Sequence, residues 1–320
     1  MMQFYKKRDF GSFISDSFAF FKLYGKNYFK NYILINGLLL ILMVAIFIFG
    51  FKELFSTMFG STMSGQANYL DSYFEDNLGM LIGVGTLTFL LFIVLMIINY
   101  LYPVFYMKRV AQGSTKVKTD EIFSDLKNNL GRIGILCLGM TFLVTPLALI
   151  VIGISYVLIL IFIGVLLIML VYPTVFNVVT FLMFDYFNTQ RGFFESLSYA
   201  MRAQFSYANG REKSPYWKYW GASLIIFIIM YVITTIFTMI PMFFFYGSLL
   251  TAPSSAQYEE NPFSGTFGIL FFVMYGVSML VSLLLSNLMY VNAGLMYYDS
   301  RTDLHQKVEL AEIDTIGLNE

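Results

Sequence analysis

Six stretches of this chain are long, apolar and free of charged side chains, and no other feature limits its fold so strongly. A helix rises about 1.5 Å per residue, so about 20 apolar residues cross a hydrocarbon layer that is about 30 Å thick. The chain therefore predicts an all-α integral membrane protein, a bundle of six membrane-spanning helices. The predicted spans cover residues 32–51, 78–106, 133–149, 155–184, 219–245 and 266–298, with a tight hairpin at 150–154.

Composition argues against several other classes of protein. Of the 320 residues, 58% are hydrophobic and 12% are charged, whereas about 25% of the residues in soluble domains are charged. The formal net charge is zero, so no global field indicates a nucleic-acid partner. Cys137 is the single cysteine and His305 the single histidine, which argues against a disulfide framework and against a cysteine or histidine metal site. We predict no cofactor.

A different type of helix is predicted before the first span, over residues 9–29. Aromatic and aliphatic residues recur there at three- and four-residue spacing, while Asp16, Lys22 and Lys26 lie off this stripe. Such a stripe is typical of an amphipathic helix that lies in the membrane interface with its apolar face toward lipid. The same pattern fits a helix packed against the base of the bundle, and the sequence leaves both interpretations open.

Short motifs recur along the chain and predict an internal repeat. Segments 121–126 and 192–197 resemble parts of segment 11–16, and each precedes a span. The second and fourth spans end in Tyr102-Pro103 and Tyr172-Pro173, and the sixth has a fainter copy at Tyr290. We predict three parallel repeats, each an interfacial helix followed by two spans, in a single membrane domain of residues 1–300 with a tail at 301–320. The alternative is that membrane helices resemble one another because they use few residue types.

The basic residues predict the orientation. All but one of the 20 lysines and arginines lie in the N-terminal segment, in the loops after the second and fourth spans, or in the tail, and Lys52 is the exception. Cytoplasmic segments of membrane proteins are enriched in lysine and arginine, so both termini and the amphipathic helices are predicted to be cytoplasmic. Segment 210–221 is rich in basic and aromatic residues, which fits contact with anionic lipid and equally fits a solvated loop.

Proline and polar residues within the spans are the candidates for function. Pro103 and Pro173 each leave a carbonyl group of the preceding turn without its helical hydrogen bond. Each follows a tyrosine, Tyr102 or Tyr172, and the pair indicates either a hinge or a bend near the membrane surface. Buried amides and hydroxyls in lipid need partners, so four more positions fit either helix–helix contacts or the lining of a substrate path: Asn99, Asn177, Ser282 and Asn287.

No predicted span contains an ionisable side chain, and no catalytic motif is recognisable. Proton-coupled carriers and carriers of charged substrates place ionisable residues within their spans, so this pattern argues against such transport. We predict that the protein is not an enzyme. A lipid-modifying enzyme is the weakest alternative and would need acidic residues clustered at the cytoplasmic interface, with Asp185, Glu195 and Asp299 as candidates.

Several segments carry a family resemblance: residues 8–22, the two Tyr-Pro span ends, and residues 297–299 and 313–317. They resemble a bacterial family of uncharacterised six-span membrane proteins, which is similar to the membrane domain of some glycerophosphodiester phosphodiesterases. The resemblance covers the whole chain with loose motifs and assigns no site residue. It implies an inner-membrane protein connected with maintenance of the cell envelope.

The sequence therefore favours one function and keeps an alternative. The favoured function is a non-catalytic scaffold or accessory subunit of an inner-membrane complex, with membrane lipids and other inner-membrane proteins as partners. The alternative is a carrier or flippase for a neutral or lipidic substrate, in which the polar residues of the spans would line a cavity.

Overall fold

The computed structural model describes residues 2–51, 54, 67–161, 163–207, 213–251 and 265–305. Within these ranges the chain forms α-helices with short π-helical and 3-10 segments and no strand, as predicted. The α-helices, numbered α1 to α9 along the chain, are Phe10–Ile46, Ala67–Ala111, Thr119–Asn128, Leu130–Gly139, Thr145–Val157, Ile163–Asn188, Phe193–Phe205, Tyr216–Thr251 and Gly265–Ser300.

Six helical segments of the described chain are long and apolar enough to cross a membrane, and they match the six predicted spans in order. They are Phe10–Gly50, Tyr73–Ala111, Leu130–Val157, Ile163–Asn188, Tyr216–Gly247 and Gly268–Ser300. The third joins α4 to α5 through the π-helical segment Met140–Val144. The protein is therefore a multi-pass membrane protein with an all-α fold.

The first helix is longer than we expected. A single helix, α1, covers both the predicted interfacial helix 9–29 and most of the first span. Residues 29–32 contain neither glycine nor proline, so nothing in the backbone ends the helix where its amphipathic pattern stops. The amphipathic stripe and the uniformly apolar run that follows it are therefore two parts of one continuous helix.

The connection between the third and fourth spans also differs from the prediction. We expected a hairpin at residues 150–154, but α5 continues through Gly153 to Val157, and a 3-10 turn follows at Leu158–Ile161. Glycine costs about 1 kcal/mol in a helix. In lipid a broken helix would leave several backbone groups without hydrogen bonds, each costing several kcal/mol, so the helix persists through the glycine.

The chain divides into two compact units. The first consists of Met1–Ile33, Tyr100–Ile228 and Asn287–Glu320, and the second of Leu34–Asn99 and Ile229–Ser286. Residues 52–77 and 246–265 connect predicted spans on the side opposite the predicted cytoplasmic segments. Most of these two connections, and the tail from residue 306, lie outside the described residues.

The first unit has an aromatic core. Phe20, Tyr28 and Tyr106 are buried and their rings meet edge to face, with 4.8 Å between the centroids of Tyr28 and Tyr106. Tyr219 and Tyr297 are also buried and both contact Phe181. Edge-to-face pairs stabilise a core by about 0.5–1.5 kcal/mol beyond the area that they bury.

Two short amphipathic helices, α3 and α7, belong to the first unit, and both begin where the sequence echoes residues 11–16. In each helix the third residue is a glutamate, and its carboxylate accepts a hydrogen bond from the backbone N–H three residues earlier. Glu121 Oε2 lies 3.0 Å from Lys118 N, and Glu195 Oε2 lies 3.1 Å from Gly192 N. This half of a capping box satisfies an otherwise unpaired helix-start amide.

The second unit packs through aromatic rings and small residues. The rings of Phe47 and Tyr275 stack with centroids 5.3 Å apart, and the Ser278 hydroxyl donates to the carbonyl of Phe237 at 2.7 Å. Gly276 faces Val44 so closely that a Cβ at this position would lie 2.9 Å from Cγ1 of the valine. Small side chains permit such close approach of helices within a membrane.

Candidate functional site

A cluster of charged and polar groups in the first unit surrounds Asp299, in the last turn of α9. Its side chain is fully buried. Oδ1 accepts a hydrogen bond from the backbone N of Arg8 at 2.6 Å. Oδ2 accepts three, from the hydroxyl groups of Tyr207 and Tyr219 at 3.0 and 2.7 Å and from Lys218 Nζ at 2.9 Å. Both oxygens of the carboxylate are therefore satisfied, as a buried charge requires.

Lys218 connects this carboxylate to the N-terminal segment. Its Nζ also donates to the carbonyl of Arg8 at 2.7 Å, and it lies about 5 Å from the ring centroids of Phe13, Tyr207 and Tyr219. Aromatic faces attract a cation that has been removed from water. We name this group of residues, Arg8, Lys218, Asp299, Tyr207 and Tyr219, the Asp299 cluster.

Arg8, a member of the cluster, is buried, and each of its three guanidinium nitrogens has a hydrogen-bond partner. The side chain is fully buried, and Nε lies 2.9 Å from Oδ2 of Asp16. Nη1 and Nη2 donate to the carbonyl groups of Phe4 and Gln3 at 2.8 and 2.7 Å. Burial lowers the pKa of Arg8, and the hydrogen bond and charge of Asp16 oppose that shift. The ordinary pKa of a guanidinium exceeds about 12, so Arg8 remains charged and fixes the segment before α1.

Asp185, near the end of α6, is a second buried carboxylate, and its ion-pair partner Arg191 is 41% exposed. Its side chain is fully buried, and its oxygens lie 3.1 and 3.3 Å from Nη1 of Arg191. Arg301 is 3.9 Å away and also bonds Asp303. The hydrogen bonds from Arg301 lower the pKa of Asp303.

Both aspartates lie directly after the predicted ends of spans. We ended the fourth and sixth spans at Phe184 and Tyr298, whereas α6 and α9 continue to Asn188 and Ser300. The next residue in each case is a buried aspartate. A signal was present in the sequence, because both aspartates follow long apolar runs directly and both sit within a few residues of an arginine.

The three acidic residues that we considered for lipid chemistry have distinct surroundings. Asp185 and Asp299 are buried in ion pairs, while Glu195 is exposed and bonds the start of α7. Each of the three carboxylates therefore has a described partner that accounts for its position.

The predicted hinge positions lie in continuous helices. Pro103 is inside α2 and Pro173 inside α6, and both are buried. The hydroxyl of Tyr102 donates to the carbonyl of Tyr28 at 2.5 Å, whereas Tyr172 is 42% exposed and contacts the ring of Phe227. The two Tyr-Pro pairs therefore differ in their surroundings, although their sequences match.

The predicted polar positions within the first unit join helices. Asn287 is buried, and its Oδ1 accepts a hydrogen bond from the hydroxyl of Tyr28 at 2.7 Å. Asn177 is buried, and its Oδ1 accepts one from Ser223 at 2.8 Å. In the second unit Asn99 is buried and Ser282 is half-buried.

Two clefts stand out on the described surface. The first, of about 520 Å³, belongs to the second unit and has an apolar wall that includes Met43, Phe47, Val84, Phe89 and Met279. The second, of about 810 Å³, belongs to the first unit and is lined by Lys7, Arg8, Asp9, Ser12, Tyr207, Lys213, Ser214, Pro215, Trp217 and Lys218. None of the eight positions predicted from the sequence lines either cleft, so neither is the polar cavity that a carrier would need at those residues.

Comparison of the chain with protein-family models, with curated proteins and with solved structures found no match. The resemblance to the membrane domain of glycerophosphodiester phosphodiesterases therefore stays a prediction.

Proposed function

We propose that this protein is a non-catalytic scaffold or accessory subunit of an envelope complex in a bacterial inner membrane, with both termini in the cytoplasm. The observation that carries the proposal is that the buried charged side chains bond partners within the chain. Asp299 joins separate segments of the first unit through Lys218 and the backbone of Arg8. Asp185 pairs with Arg191 and lies 3.9 Å from Arg301, and the side chain of Arg8 bonds Asp16. Charges bonded to intramolecular partners fix which segments meet and are poorly placed to bind a substrate.

An open helix face supports contact with a second membrane protein. Gly79 and Gly83 lie one turn apart on α2, both are exposed, and a Cβ added to either would meet no described atom within 4 Å. The neighbouring Leu78 and Ile82 are more than half exposed. Two glycines at this spacing let a partner helix approach closely, and helix association in lipid depends on such packing.

The orientation is supported by the basic residues. The segments that carry all but one of them are predicted to face the cytoplasm. Within the first unit, Arg8 before α1, Lys218 at the start of α8 and Asp299 at the end of α9 meet in one cluster. Ends of three spans that meet in this way belong on the same side of a membrane.

The test is co-purification from cells in mild detergent, followed by identification of the proteins that accompany the wild-type chain. We expect one or more inner-membrane proteins in reproducible amounts. The double variant G79L/G83L fills the open face and should reduce their recovery by about tenfold or more, equivalent to about 1.4 kcal/mol of association energy.

A matched control separates the face from a general effect of leucine on membrane helices. G134L/G153L places the same side chains at two other exposed glycines where an added Cβ also meets no described atom within 4 Å. It should leave recovery unchanged. Migration of the wild-type protein alone as a monomer after several gentle extractions would contradict the proposal.

A further inference from the structure

One short helix of the first unit, α7, exposes a stripe of apolar side chains. Phe194, Met201 and Phe205 are 73%, 54% and 55% exposed, and Ser198, which comes between them, is exposed as well. These positions follow one another at intervals of three or four residues, so they lie along one face of the helix. Large apolar side chains that are exposed together on one surface indicate a site of contact with a membrane or another molecule.

The opposite face of α7 packs against a membrane-spanning helix. Its buried residues include Phe193, Ala200 and Ala203. The ring of Phe193 lies so close to Gly139 that a Cβ on the glycine would not fit without displacement of the ring. Gly139 belongs to the third span, Leu130–Val157. The start of α7 therefore lies at the side of a helix that crosses the membrane.

The end of α7 lies against two further spans. The ring of Phe205 stacks on that of Tyr216 with 5.2 Å between the centroids, and Tyr216 is the first residue of the fifth span. The hydroxyl oxygens of Tyr216 and Thr174 lie 3.1 Å apart, and Thr174 belongs to the fourth span. Contacts at both of its ends therefore hold α7 beside the spans.

The residues next to these contacts show where α7 lies relative to lipid. Leu138, beside Gly139, is 60% exposed on its span, and exposed apolar side chains of a membrane-spanning helix face lipid. Trp217, beside Tyr216, is 64% exposed and contacts Trp220 edge to face, and tryptophan is enriched at the level of lipid headgroups. The exposed stripe of α7 therefore adjoins the lipid-facing surface of the spans, at the level of the tryptophans.

We propose that this stripe inserts into the adjacent lipid leaflet, with Phe194, Met201 and Phe205 in contact with acyl chains. An interfacial helix buries its apolar face about 5–10 Å into the boundary between headgroups and acyl chains. The helix carries one acidic residue, Glu195, and one basic residue, Arg202, both exposed. Their charges cancel, so insertion depends on the apolar side chains and not on anionic lipid. This inference concerns lipid and does not depend on the protein partner of the proposed function.

The test measures collisions of a nitroxide spin label at S198C, in a C137S background, with the purified full chain in phosphatidylcholine nanodiscs. Ser198 lies within the stripe, so the label leaves the three apolar side chains in place. We expect oxygen, which concentrates in lipid, to collide with this label more often than a water-soluble nickel complex does. A label at D303C should show the reverse, because Asp303 is 50% exposed beyond the end of α9.

A second arm tests whether the apolar side chains cause the insertion. F194S/M201S should shift the collisions of the S198C label toward the nickel complex. L147S/I150S is the matched control, since Leu147 and Ile150 are also more than half exposed but lie in α5, and it should leave the collisions unchanged. Addition of phosphatidylglycerol to the nanodiscs should also leave them unchanged.

Four results would overturn the proposal. More frequent collisions of the S198C label with the nickel complex than with oxygen would show that the stripe faces water. Exclusion of both reagents would show that protein covers it, either a second copy or residues 306–320. An F194S/M201S protein with unchanged collisions, or one matched by L147S/I150S, would remove the apolar side chains as the cause. Insertion only in the presence of phosphatidylglycerol would assign it to charge.

Discussion

At the scale of single residues, Asp299 illustrates how a charge is stabilised at the end of a membrane span. Four donors from three separate segments bond its carboxylate, and only one of them, Lys218, carries a formal charge. Removing one partner from a buried pair leaves the other charge uncompensated, which costs about 3–5 kcal/mol, although the intact pair itself adds little. The cluster therefore matters more for which segments meet than for net stability.

Replacement of Asp299 by asparagine should destabilise the protein by about 3–5 kcal/mol. The amide keeps the shape of the carboxylate but presents an NH₂ group to donors and removes the negative charge that lies 2.9 Å from Lys218 Nζ. The reaction of Cys137, the only thiol, with a thiol-activated dye during heating in detergent would report unfolding. Asp303 provides the control, because its side chain is 50% exposed in its pair with Arg301, and D303N should cost less than about 1 kcal/mol. Equal melting temperatures for D299N and D303N would contradict the assignment.

Of this cluster the sequence singled out only Asp299 as a candidate, and it did not indicate which residues meet it. Arg8 and Asp299 are 291 positions apart, and Lys218 and Asp299 are 81 apart. Periodicity and hydropathy describe neighbours along a helix, so they carry no information about which helix ends meet. The amides were more predictable, because a buried Asn177 or Asn287 in lipid must find a partner, and each has one.

At the scale of helices, close packing in the first unit depends on a glycine near the end of α9. A Cβ on Gly294 would lie 2.6 Å from Cζ of Phe184 in α6 and 2.8 Å from Sδ of Met107 in α2. Both side chains are buried. Three helices therefore meet at a position that accepts no side chain without displacement of its neighbours.

The variant G294A should destabilise the protein by about 1–3 kcal/mol, the usual cost of overpacking a filled core. The flexible side chain of Met107 can shift more easily than the ring of Phe184, so the expected loss of stability lies toward the lower end of this range. G134A in α4 is the control, since an added Cβ there meets no described atom within 4 Å. Glycine is a poor helix former, so G134A should be neutral or slightly stabilising. The thermal assay with Cys137 compares them, and a G294A protein as stable as G134A would refute this account of the packing.

The elements themselves were the most predictable part of the fold. Long apolar runs predicted six spans, and the segments that echo residues 11–16 overlap the short helices α3 and α7. The ends of helices were less predictable, because they depend on contacts that the sequence does not display. The last turns of α6 and α9 contain Asp185 and Asp299, whose ion-pair partners Arg191 and Lys218 lie far away in sequence or outside the helix.

The proposed repeat gains a parallel between its first two copies. Asp16 follows Ser15, and Asp125 follows Ser124, in the segments that resemble one another. Arg8 Nε lies 2.9 Å from Asp16, and Arg109 Nε lies 2.6 Å from Asp125. In both copies an arginine that precedes the amphipathic stretch bonds the aspartate within it, so the shared motif has a shared contact. The threefold repeat as a whole stays a prediction.

At the scale of the whole molecule, orientation is the property that sequence and physics address most directly. Segments rich in lysine and arginine stay on the cytoplasmic side of a membrane during insertion. An even number of spans places both ends of a chain on the same side. The six helices of the described residues that are long and apolar enough to span a membrane and the segregation of all but one basic residue agree with the same arrangement, although they are independent features of the chain.

Labelling of single cysteines in a C137S background tests that arrangement. We expect a membrane-impermeant maleimide to label K52C in spheroplasts, and to label K22C and D303C only after the membrane is permeabilised. Lys22 and Asp303 are suitable sites because both are exposed on the described surface, so lack of reaction in spheroplasts would reflect the membrane and not burial in the fold. Denatured samples of each variant provide the control for thiol reactivity. Labelling of K22C and D303C from opposite sides would exclude an even number of spans, and labelling of both only from outside would invert the proposed orientation and remove the cytoplasmic assignment of the termini.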